Sequence, residues 1–511
     1  MSPRINAITL LVIAAAACTA NRRRTPDDTI VLLIEAQMNT VDPRYTTSNY
    51  ETKVSRLIAP GLTTVDTPTA EPELELAAAV DRIDPLTIDV TVRDTTFSDG
   101  NPVRAEDVAR TFQTVMDDKC ESLYQKGLVE RFVSVEAVDA KRVRFHLKSP
   151  LAMFMSDMDF GIVSFHGTPA GVCKPAKLVG AGPYALHSLG SQGAVLDANP
   201  RYFRGSPKIP HVEIRVVRDA AARILMLVGG SADLVQNSFR LDLVDDVIKR
   251  PRVQVASAPS VLLTYMLINN TDPVLEDVRV RQAIALALDR DAIVAAKLSG
   301  RAVLATGLLP PMHWAYNGNV THWNHDVARA KQLLDEAGLK PNARGIRLHL
   351  VYKTSADAFR IAIARVIAAQ LATVGIDVEI RSFEFNTFFA DIKKGNYQIA
   401  TMQSPEITEP DFHRWFFHSS NWPGGKGSES SNRWRYKNPE VDRLVDAGRT
   451  ELDRDKRKQI YADIQRIIAD ELPIIPLWHE DNVVLANVTV QGFQIVPNAR
   501  FIGLIGTSKS P

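Results

Sequence analysis

Residues 346–402 hold the pattern that constrains the fold most. Apolar segments rich in β-branched residues alternate there with longer amphipathic segments, and the amphipathic segments end at Gly375 and Gly395. The predicted order is strand 346–352, helix 357–374, strand 376–381, helix 384–394 and strand 397–402. Strands that alternate with helices of these lengths pair in parallel, and right-handed crossover connections join them. The sequence therefore predicts an α/β fold.

The rest of the chain also alternates between strand and helix patterns. Short apolar runs or period-two alternation predict strands at 29–34, 87–93, 143–147 and 474–478. Helical periodicity of apolar residues predicts helices at 105–116, 276–296, 325–337, 438–450 and 453–471. These elements extend the α/β pattern over nearly the whole chain.

Composition excludes several classes of protein. The 511 residues are 45% hydrophobic and 23% charged, which is typical of a folded globular chain. Lys and Arg number 60 against 59 Asp and Glu, so the net charge of +1 leaves no basic excess for binding nucleic acid. No apolar run reaches the length of a transmembrane helix. Three cysteines are too few for a disulfide scaffold or for most structural zinc arrays.

The N-terminus predicts export. Arg4 precedes a short apolar run, and small residues precede Cys18, which is the order of a secretory signal. The Ala-Ala-Cys sequence that ends at Cys18 resembles a bacterial lipoprotein signal, in which the cysteine is acylated and becomes the mature N-terminus. Ala15 departs from that signal, which usually has leucine there. We expect a signal peptide at 1–17 and a lipidated tether at 18–28.

The chain lacks the common catalytic motifs. It has no Gly-x-Ser-x-Gly nucleophile elbow, no Ser-x-x-Lys signature, no phosphate-binding P-loop and no Cys-x-x-Cys. Its close histidine pairs, His322 with His325 and His413 with His418, lack cysteine or carboxylate partners at metal-ligand spacing. An exported chain of this size without a catalytic constellation is more easily explained as a binding protein than as an enzyme, with no cofactor and no metal.

Six segments, in order along residues 30–490, resemble the family 5 extracellular solute-binding proteins, the peptide-, nickel- and related-ligand receptors of ABC importers. The most characteristic is 93–108, Arg-Asp-Thr-Thr-Phe-Ser-Asp-Gly-Asn-Pro-Val-Arg-Ala-Glu-Asp-Val, in which Arg104 replaces the Thr or Ser that often caps the next helix. The others are Gly-Ala-Gly-Pro-Tyr at 180–184, Asn-Pro-Arg-Tyr-Phe at 199–203, Gly-Gly-Ser-Ala-Asp at 229–233, Val-Arg-Gln-Ala-Ile at 280–284 with Asp-Arg-Asp at 289–291, and Asn-Pro-Glu-Val-Asp at 438–442.

The resemblance implies a two-lobed fold of the periplasmic-binding-protein kind, type II in its large peptide-binding subclass, with an extra α/β subdomain. The expected division is lobe I at 29–60, 183–270 and 480–511, the extra subdomain at 61–182, and lobe II at 271–479. In this arrangement a hinge joins the lobes, and closure of the lobes buries a ligand between them.

The resemblance also implies a function. The implied protein is an extracytoplasmic receptor, in the periplasm or on the outer face of a membrane. It captures peptides by hinge closure and delivers them to an ABC permease with a separate ATPase. Nickel chelate, haem, opine and oligosaccharide stay open as ligands, and so does a peptide-sensing or chaperone role without uptake. A hydrolase is disfavoured because the nucleophile motifs are missing. We expect a monomer, held at the membrane by its lipid anchor, that does not bind nucleic acid.

The loop-rich segment 404–434 is the predicted ligand-binding region. In peptide-binding relatives an Asp shortly after the preceding strand pairs with the peptide's ammonium group, and here that position falls near Glu406 or Ile407. The resemblance therefore implies that Glu406 is the anchor or that the anchor is lost. We predict that Glu406, Asp411, Trp415 and Trp434 contact ligand, the tryptophans as apolar walls. The alternative is that the tryptophans belong to the core and the acids are solvated.

Cys120 and Cys173 are candidates for a disulfide. If Cys18 is lipidated, they are the two thiols that remain, in an oxidising compartment and in the same predicted subdomain. Two buried free thiols are the alternative.

Overall fold

The computed structural model describes residues 25–404, 406–424 and 430–510. The predicted signal peptide at 1–17 and the lipidation site Cys18 lie outside the described residues, as does most of the predicted tether.

The first large sheet is built mainly from the first half of the chain. Within the described ranges it has seven strands, in the spatial order Val253–Ala258, Asn482–Asn487, Leu234–Gln236, Thr29–Ile34, His211–Val216, Gly193–Ala198 and Tyr184–Gly190. Thr29–Ile34 is parallel to both of its neighbours. Its alternate residues pack toward helix Asn49–Ile58 on one face and helix Ala220–Gly229 on the other. Burial on both faces explains why this strand is a continuous apolar run.

The second large sheet contains the pattern that predicted the fold class. Its six strands, counted over the described residues, are in the order Ala302–Leu304, Ile474–Glu480, Leu263–Ile268, Ile399–Gln403, Leu348–Ser355 and Ile376–Phe383. Leu348–Ser355 is parallel to both of its neighbours. Helices Ala358–Ala372 and Phe385–Lys394 connect the three parallel strands. The predicted strand–helix–strand–helix–strand order is confirmed, with boundaries shifted by a few residues.

A smaller antiparallel sheet forms a third unit, which we call the subdomain. Its strands, in spatial order, are Ala77–Asp84, Thr87–Val92, Arg142–Leu147 and Phe132–Ala137. Helix Ala105–Met116, predicted with these bounds, packs its Val108, Phe112 and Val115 into the core of this unit. Asp107 accepts hydrogen bonds from the backbone N–H groups of Arg104 and Phe165, so this acid of the 93–108 signature is a structural residue.

The other helices and strands are short or lie around the second sheet. The helices are Gln125–Arg131, Phe154–Asp157, Val244–Val247, Val278–Ala287, Arg290–Leu298, Val327–Glu336, Phe412–Phe417, Pro439–Thr450 and Arg454–Glu471. The 3₁₀ turns are Asp118–Cys120, Leu241–Leu243, Ser419–Asn421 and Phe501–Gly506, and the two-residue strands are Thr63–Thr64, Glu73–Leu74, Val490–Gln491 and Ser508–Lys509.

The prediction of a single helix at 276–296 is wrong, because the chain forms two helices there. Leu288 has an extended backbone, and the Asp289 side chain accepts a hydrogen bond from the N–H of Ala292 at the start of the second helix. A strong N-cap inside an apolar periodic pattern ends one helix and begins another without breaking the period.

The chain crosses between the two large sheets at two neighbouring places. It leaves the first sheet after Ala258 and enters the second at Leu263, and it returns between Glu480 and Asn482. The Ser260 hydroxyl donates a hydrogen bond to the Glu480 carbonyl, which ties the two crossings together. We call the first sheet with its helices lobe I and the second sheet with its helices lobe II. The expected boundary at residue 270 therefore places one strand, Leu263–Ile268, in the wrong lobe; the rest of the expected division stays a prediction.

The Gly-Ala-Gly-Pro segment lies where the subdomain meets lobe I. A Cβ atom added at Gly180 would lie 2.0 Å from the carbonyl oxygen of Ile58, and one at Gly182 would lie 2.4 Å from that of Leu57. Such distances are far below van der Waals contact, so two backbone segments approach here as closely as glycine allows. The glycines of this segment therefore identify the fold rather than a ligand site.

Candidate functional site

A cavity of about 350 Å³ lies between the two lobes, beside the two crossings. Leu262 of the first crossing and Asp481 of the second line it. Its other lining residues are Glu35, Ala220, Arg223, Asn237, Phe239, Arg240 and Leu241 from lobe I, and Thr264, Asp357, Phe359, Arg360, Ile363, Thr401, Gln403 and Glu480 from lobe II. The size is at the lower end of the range for small-ligand sites.

The parallel strands of both sheets bring these residues together. Glu35 follows the last residue of Thr29–Ile34, and Asn237 follows the last residue of Leu234–Gln236. In lobe II, Asp357 comes just after Leu348–Ser355. The carboxyl ends of parallel strands meet at one edge of a sheet, which is where α/β proteins bind ligands. The carboxyl edges of the two sheets therefore face each other across the cavity.

Two helices begin at this cavity, one from each lobe. Asp219 caps the helix that starts at Ala220, and Asp357 caps the helix that starts at Ala358. Both caps accept a hydrogen bond from a backbone N–H in the first turn of their helix. The N-terminal ends of helices carry partial positive charge, and here the capping carboxylates of Asp219 and Asp357 offset it.

Charged side chains of both signs line the cavity. The acids are Glu35, Asp357, Glu480 and Asp481, and the bases are Arg223, Arg240 and Arg360. Phe239, Leu241, Phe359 and Ile363 add apolar surface. A cavity of this composition suits a small ligand that has positive, negative and apolar parts.

The arginines differ in how far the protein already uses them. Arg223 is buried and donates to the carbonyl oxygens of Val217, Arg218 and Ser238, so its guanidinium holds the backbone of lobe I. Arg240 forms a bidentate pair with Asp242. Arg360 makes no side-chain hydrogen bond and no ion pair with the described residues. Arg360 is therefore the cation of the cavity that is free to bind a ligand.

Glu480 is held by three neutral donors. Its Oε1 accepts hydrogen bonds from the Thr264 hydroxyl at 2.8 Å and from the Trp478 indole N–H at 3.2 Å. Its Oε2 accepts one from the Gln403 amide at 3.1 Å. These donors come from three adjacent strands of lobe II, so the carboxylate has one position relative to the sheet.

Glu406, the predicted anchor, does not line this cavity. It is largely removed from solvent, and burial raises the pKa of its carboxyl, while Arg500 and Lys53 act to lower it. Lys53 belongs to a helix of lobe I, so charges of the protein itself already face Glu406 across the lobe boundary. The role of Glu406 as ligand anchor stays a prediction that this geometry does not favour.

Asp411 and Trp415 line a different cavity, of about 120 Å³, between lobe II and the subdomain. Asp411 accepts a hydrogen bond from the Tyr461 hydroxyl at 3.2 Å. The Trp415 ring lies 5.4 Å from the guanidinium of Arg433. The structure therefore brings these two predicted residues together, but away from the cavity between the large sheets.

The prediction that Trp434 forms an apolar wall of the ligand site is wrong. It is completely buried in the core of lobe II, against Tyr265, Phe416 and Phe417. An apolar ring enclosed on all sides has no surface to offer a ligand, so the alternative interpretation, a core residue, holds for it.

A buried cluster of charges adjoins Glu406 where lobe I meets the subdomain. Arg56 Nη2 lies 2.8 Å from Glu75 and 2.8 Å from Asp159, and Arg500 Nη1 lies 2.6 Å from Asp159 and 3.2 Å from Asp66. Three carboxyl groups thus share two guanidinium groups, and all five side chains are at most 11% exposed. One carboxyl in excess of the cations makes this cluster sensitive to pH.

We expect Glu75 to make the stability of the protein fall as pH rises. Burial raises the pKa of Glu75 from 4.5 to about 7 despite Arg56. Between these two pH values the folded protein therefore keeps a proton that the unfolded chain has lost. Its stabilising contribution is complete below about pH 4.5 and is lost as pH rises through about 7. Relative to Glu75→Gln, the wild-type free energy of unfolding should drop by on the order of 3 kcal/mol between pH 4 and pH 8. Urea titrations of both proteins across this range measure it, and parallel pH profiles would contradict the prediction.

Metal and membrane features are both absent from the part of the chain that the structure describes. Within it, no three His, Cys, Asp or Glu side chains come together as a metal site would need. No helix in it has both the length and the apolar character needed to cross a membrane.

Two α/β lobes that enclose a ligand-sized cavity at two chain crossings define the fold of a type II solute-binding protein. Residues 71–424 match the model of the bacterial extracellular solute-binding proteins, family 5 Middle. Because the match covers more than half of the chain, the chain belongs to this family.

Relatives of this chain are similar over most of their length. A probable D,D-dipeptide-binding periplasmic protein of Escherichia coli strain K12 is 27% identical over 422 residues, which cover 78% of this chain and 77% of the relative. The di/tripeptide-binding protein 2 of Pseudomonas aeruginosa strain UCBPP-PA14 is 26% identical over 425 residues, with 78% of each chain covered. The substrate-binding protein CtaP of Listeria monocytogenes shares the fold, with a TM-score of 0.84 at 24% identity over 94% of this chain and 99% of that one.

Sequence reasoning missed the residues that line the cavity, although part of the signal was present. Glu35 and Gln403 each directly follow a predicted strand, and the carboxyl-end rule points to such positions, whereas Asp357 lies five residues beyond the strand predicted at 346–352. Glu480 has a weaker signal, since it is an acid two residues beyond the predicted strand 474–478.

Proposed function

We propose that this chain captures short peptides in the cavity between its lobes, outside the cytoplasm, and delivers them to an ABC permease driven by a separate ATPase. The observation that carries the proposal is the cavity between the carboxyl edges of two α/β lobes, lined by charges of both signs. A short peptide with free termini has both charges and an apolar part in one small molecule.

A free strand edge beside the cavity supports a peptide ligand. The strand Ile399–Gln403 pairs with Leu263–Ile268 along its whole length. On its other side, pairing with Leu348–Ser355 stops at Ala400. Thr401 and Gln403, which line the cavity, follow that point. A peptide that adds as a strand gains main-chain hydrogen bonds whatever its side chains are, which suits a receptor for many peptides.

Closure of the lobes provides the signal to the transporter. The ligand contacts both lobes, so it binds the closed form better than the open form and shifts the population toward it. The two crossings are the elements about which the lobes would rotate. The permease then docks the closed form. The relatives named for peptides agree with this proposal, and the heme-binding protein A of Haemophilus influenzae, 27% identical over 424 residues, shows that ligands differ among relatives.

Native mass spectrometry of the purified protein tests the proposal, followed by titration calorimetry with a panel of dipeptides, tripeptides and longer peptides. We expect carried-over peptides of two or three residues and tighter binding of these than of longer ones. Carried-over haem or a nickel chelate, with no peptide bound at millimolar concentration, would replace the peptide proposal with one of those ligands. Turnover of a bound peptide would contradict a pure binding role.

We propose that Cys18 carries a lipid anchor after removal of residues 1–17, and that the receptor is a monomer on this tether. Replacement of Cys18 by alanine should move the protein from the membrane fraction to the soluble extracytoplasmic fraction, because no acyl chains can then attach. Fractionation of cells that express each form measures this. Wild-type protein that is already soluble would rule out the anchor.

A further inference from the structure

We infer that the subdomain is a pH-sensitive latch between the two lobes. It holds lobe II against lobe I in the absence of ligand, and a proton on Asp157 controls it. The latch goes beyond the proposed function, because it sets how readily the lobes close whichever ligand they bind.

The subdomain moves with lobe I, because a buried cluster of charges joins the two. Asp159 of the subdomain lies 2.8 Å from Arg56 and 2.6 Å from Arg500, and both arginines belong to lobe I. The close backbone approach at Gly180 and Gly182 is a second tie between the same two units. Any contact between the subdomain and lobe II therefore also holds the two lobes together.

The same part of the subdomain also contacts lobe II. The Ser156 hydroxyl donates a hydrogen bond to Glu409 at 2.8 Å, and the other carboxylate oxygen of Glu409 accepts one from Arg457 of lobe II at 2.8 Å. The backbone N–H of Ala152 donates to the carbonyl oxygen of Arg449 at 3.2 Å. The bonds from Ser156 and Ala152 cross from the subdomain to lobe II, so they form only while the lobes are together.

Asp157 is buried at this interface with one carboxyl oxygen unsatisfied. Its Oδ1 lies 3.3 Å from Arg131 of the subdomain, and its side chain is 8% exposed. Its Oδ2 is buried and accepts no hydrogen bond from the described residues. The charged groups that act on it from lobe II are Glu409, Asp411 and Arg449. A buried carboxylate near two other acids is costly, so this position favours a proton on Asp157.

Loss of that proton weakens the latch. Burial, together with Glu409 and Asp411, raises the pKa of Asp157 to about 6 in the latched form, against the opposing effect of Arg131 and Arg449. An Asp that opening exposes to water returns to its ordinary pKa of 3.8. The latch is therefore strongest below about pH 4 and weakens as pH rises to about 6, above which the carboxyl is charged in both forms.

Hydrogen exchange of the ligand-free protein tests the latch, because the Ala152 amide exchanges when its contact with Arg449 opens. Mass spectrometry with fragmentation to single residues reads this amide. After correction for the intrinsic exchange rate, we expect its protection in wild type to fall roughly 20-fold between pH 4.5 and pH 7.5. Asp157→Asn has no proton to lose, so its protection should stay high at pH 7.5. Asp94→Asn changes a fully exposed acid of the same subdomain, so this matched control should behave as wild type does.

Two further readouts separate latch opening from unfolding. Amides of the strand Arg142–Leu147, in the subdomain sheet, should keep their protection at both pH values. The radius of gyration of ligand-free wild type, from small-angle X-ray scattering, should increase between pH 4.5 and pH 7.5, whereas that of Asp157→Asn should not.

Several results would overturn the inference. These are constant protection of Ala152 in wild type, a pH response that persists in Asp157→Asn, and a joint loss of protection at Ala152 and the strand, which would indicate unfolding of the subdomain. The wild-type profile alone decides whether the contact responds to pH if Asp157→Asn does not fold. None of these measurements uses a peptide, so failure of the latch would leave the proposed function standing.

Discussion

Replacement of Arg500 by methionine is expected to destabilise the protein by about 3–5 kcal/mol. The guanidinium of Arg500 contacts Asp66 and Asp159, which are 3% and 6% exposed, so its loss leaves two carboxyl groups buried with fewer cations. Arg500 and Arg56 lower the pKa of Asp66 against the opposing effect of burial. Urea denaturation followed by circular dichroism measures the change.

The matched control for this experiment is Arg443→Met. Arg443 also pairs with an acid, Glu440, but the two side chains are 63% and 52% exposed. Water and salt compensate an exposed pair, so the control should lose less than about 0.5 kcal/mol. Adding Asp159→Asn to Arg500→Met should recover part of the loss, because it removes one of the stranded charges. A loss below about 1 kcal/mol in Arg500→Met would contradict the structural role given to the cluster.

Loss of the disulfide between Cys120 and Cys173 is expected to have an effect of similar size. A disulfide bond joins the two sulfur atoms in the structure, and it closes a loop over a sequence separation of 53 residues. Removing the bond gives the unfolded chain back its loop entropy, about 4 kcal/mol for a loop of this length. The Cys120→Ser, Cys173→Ser double variant should lose that much in free energy of unfolding.

Two measurements check the bond itself. In a Cys18→Ser protein, thiol counting under denaturing, non-reducing conditions should find no reactive thiol, and two reactive thiols would contradict the bond. Adding reductant should lower the stability of this protein to that of the variant that also lacks Cys120 and Cys173.

Much of the local structure could be predicted from the sequence because the determining interactions are local. The apolar period of 105–116 predicted its helix with the bounds that the structure has, and the alternation at 346–402 predicted three parallel strands with their two helices. The error at 276–296 has the same origin, since Asp289 ends one helix and caps the next without disturbing the apolar period.

The site could not be predicted in the same way. Trp434 and Trp415 have the same side chain and lie in the same loop-rich segment, yet Trp434 is enclosed in the core and Trp415 lines a cavity. Which of them is buried depends on packing partners such as Tyr265, which is far away in the sequence. Glu406 likewise has no local signal for its position, since the cations that face it, Lys53 and Arg500, belong to remote segments.

The sequence by itself determined the α/β class, the order of most elements and the family resemblance, because helix and strand periods and turn residues act over a few positions along the chain. Only the tertiary structure decided where a ligand can bind. Glu35, Asp357, Gln403 and Glu480 lie far apart in the sequence and share no motif. They meet because the carboxyl edges of two sheets face each other where the chain crosses twice between them, and that convergence is a property of strand pairing over long sequence distances.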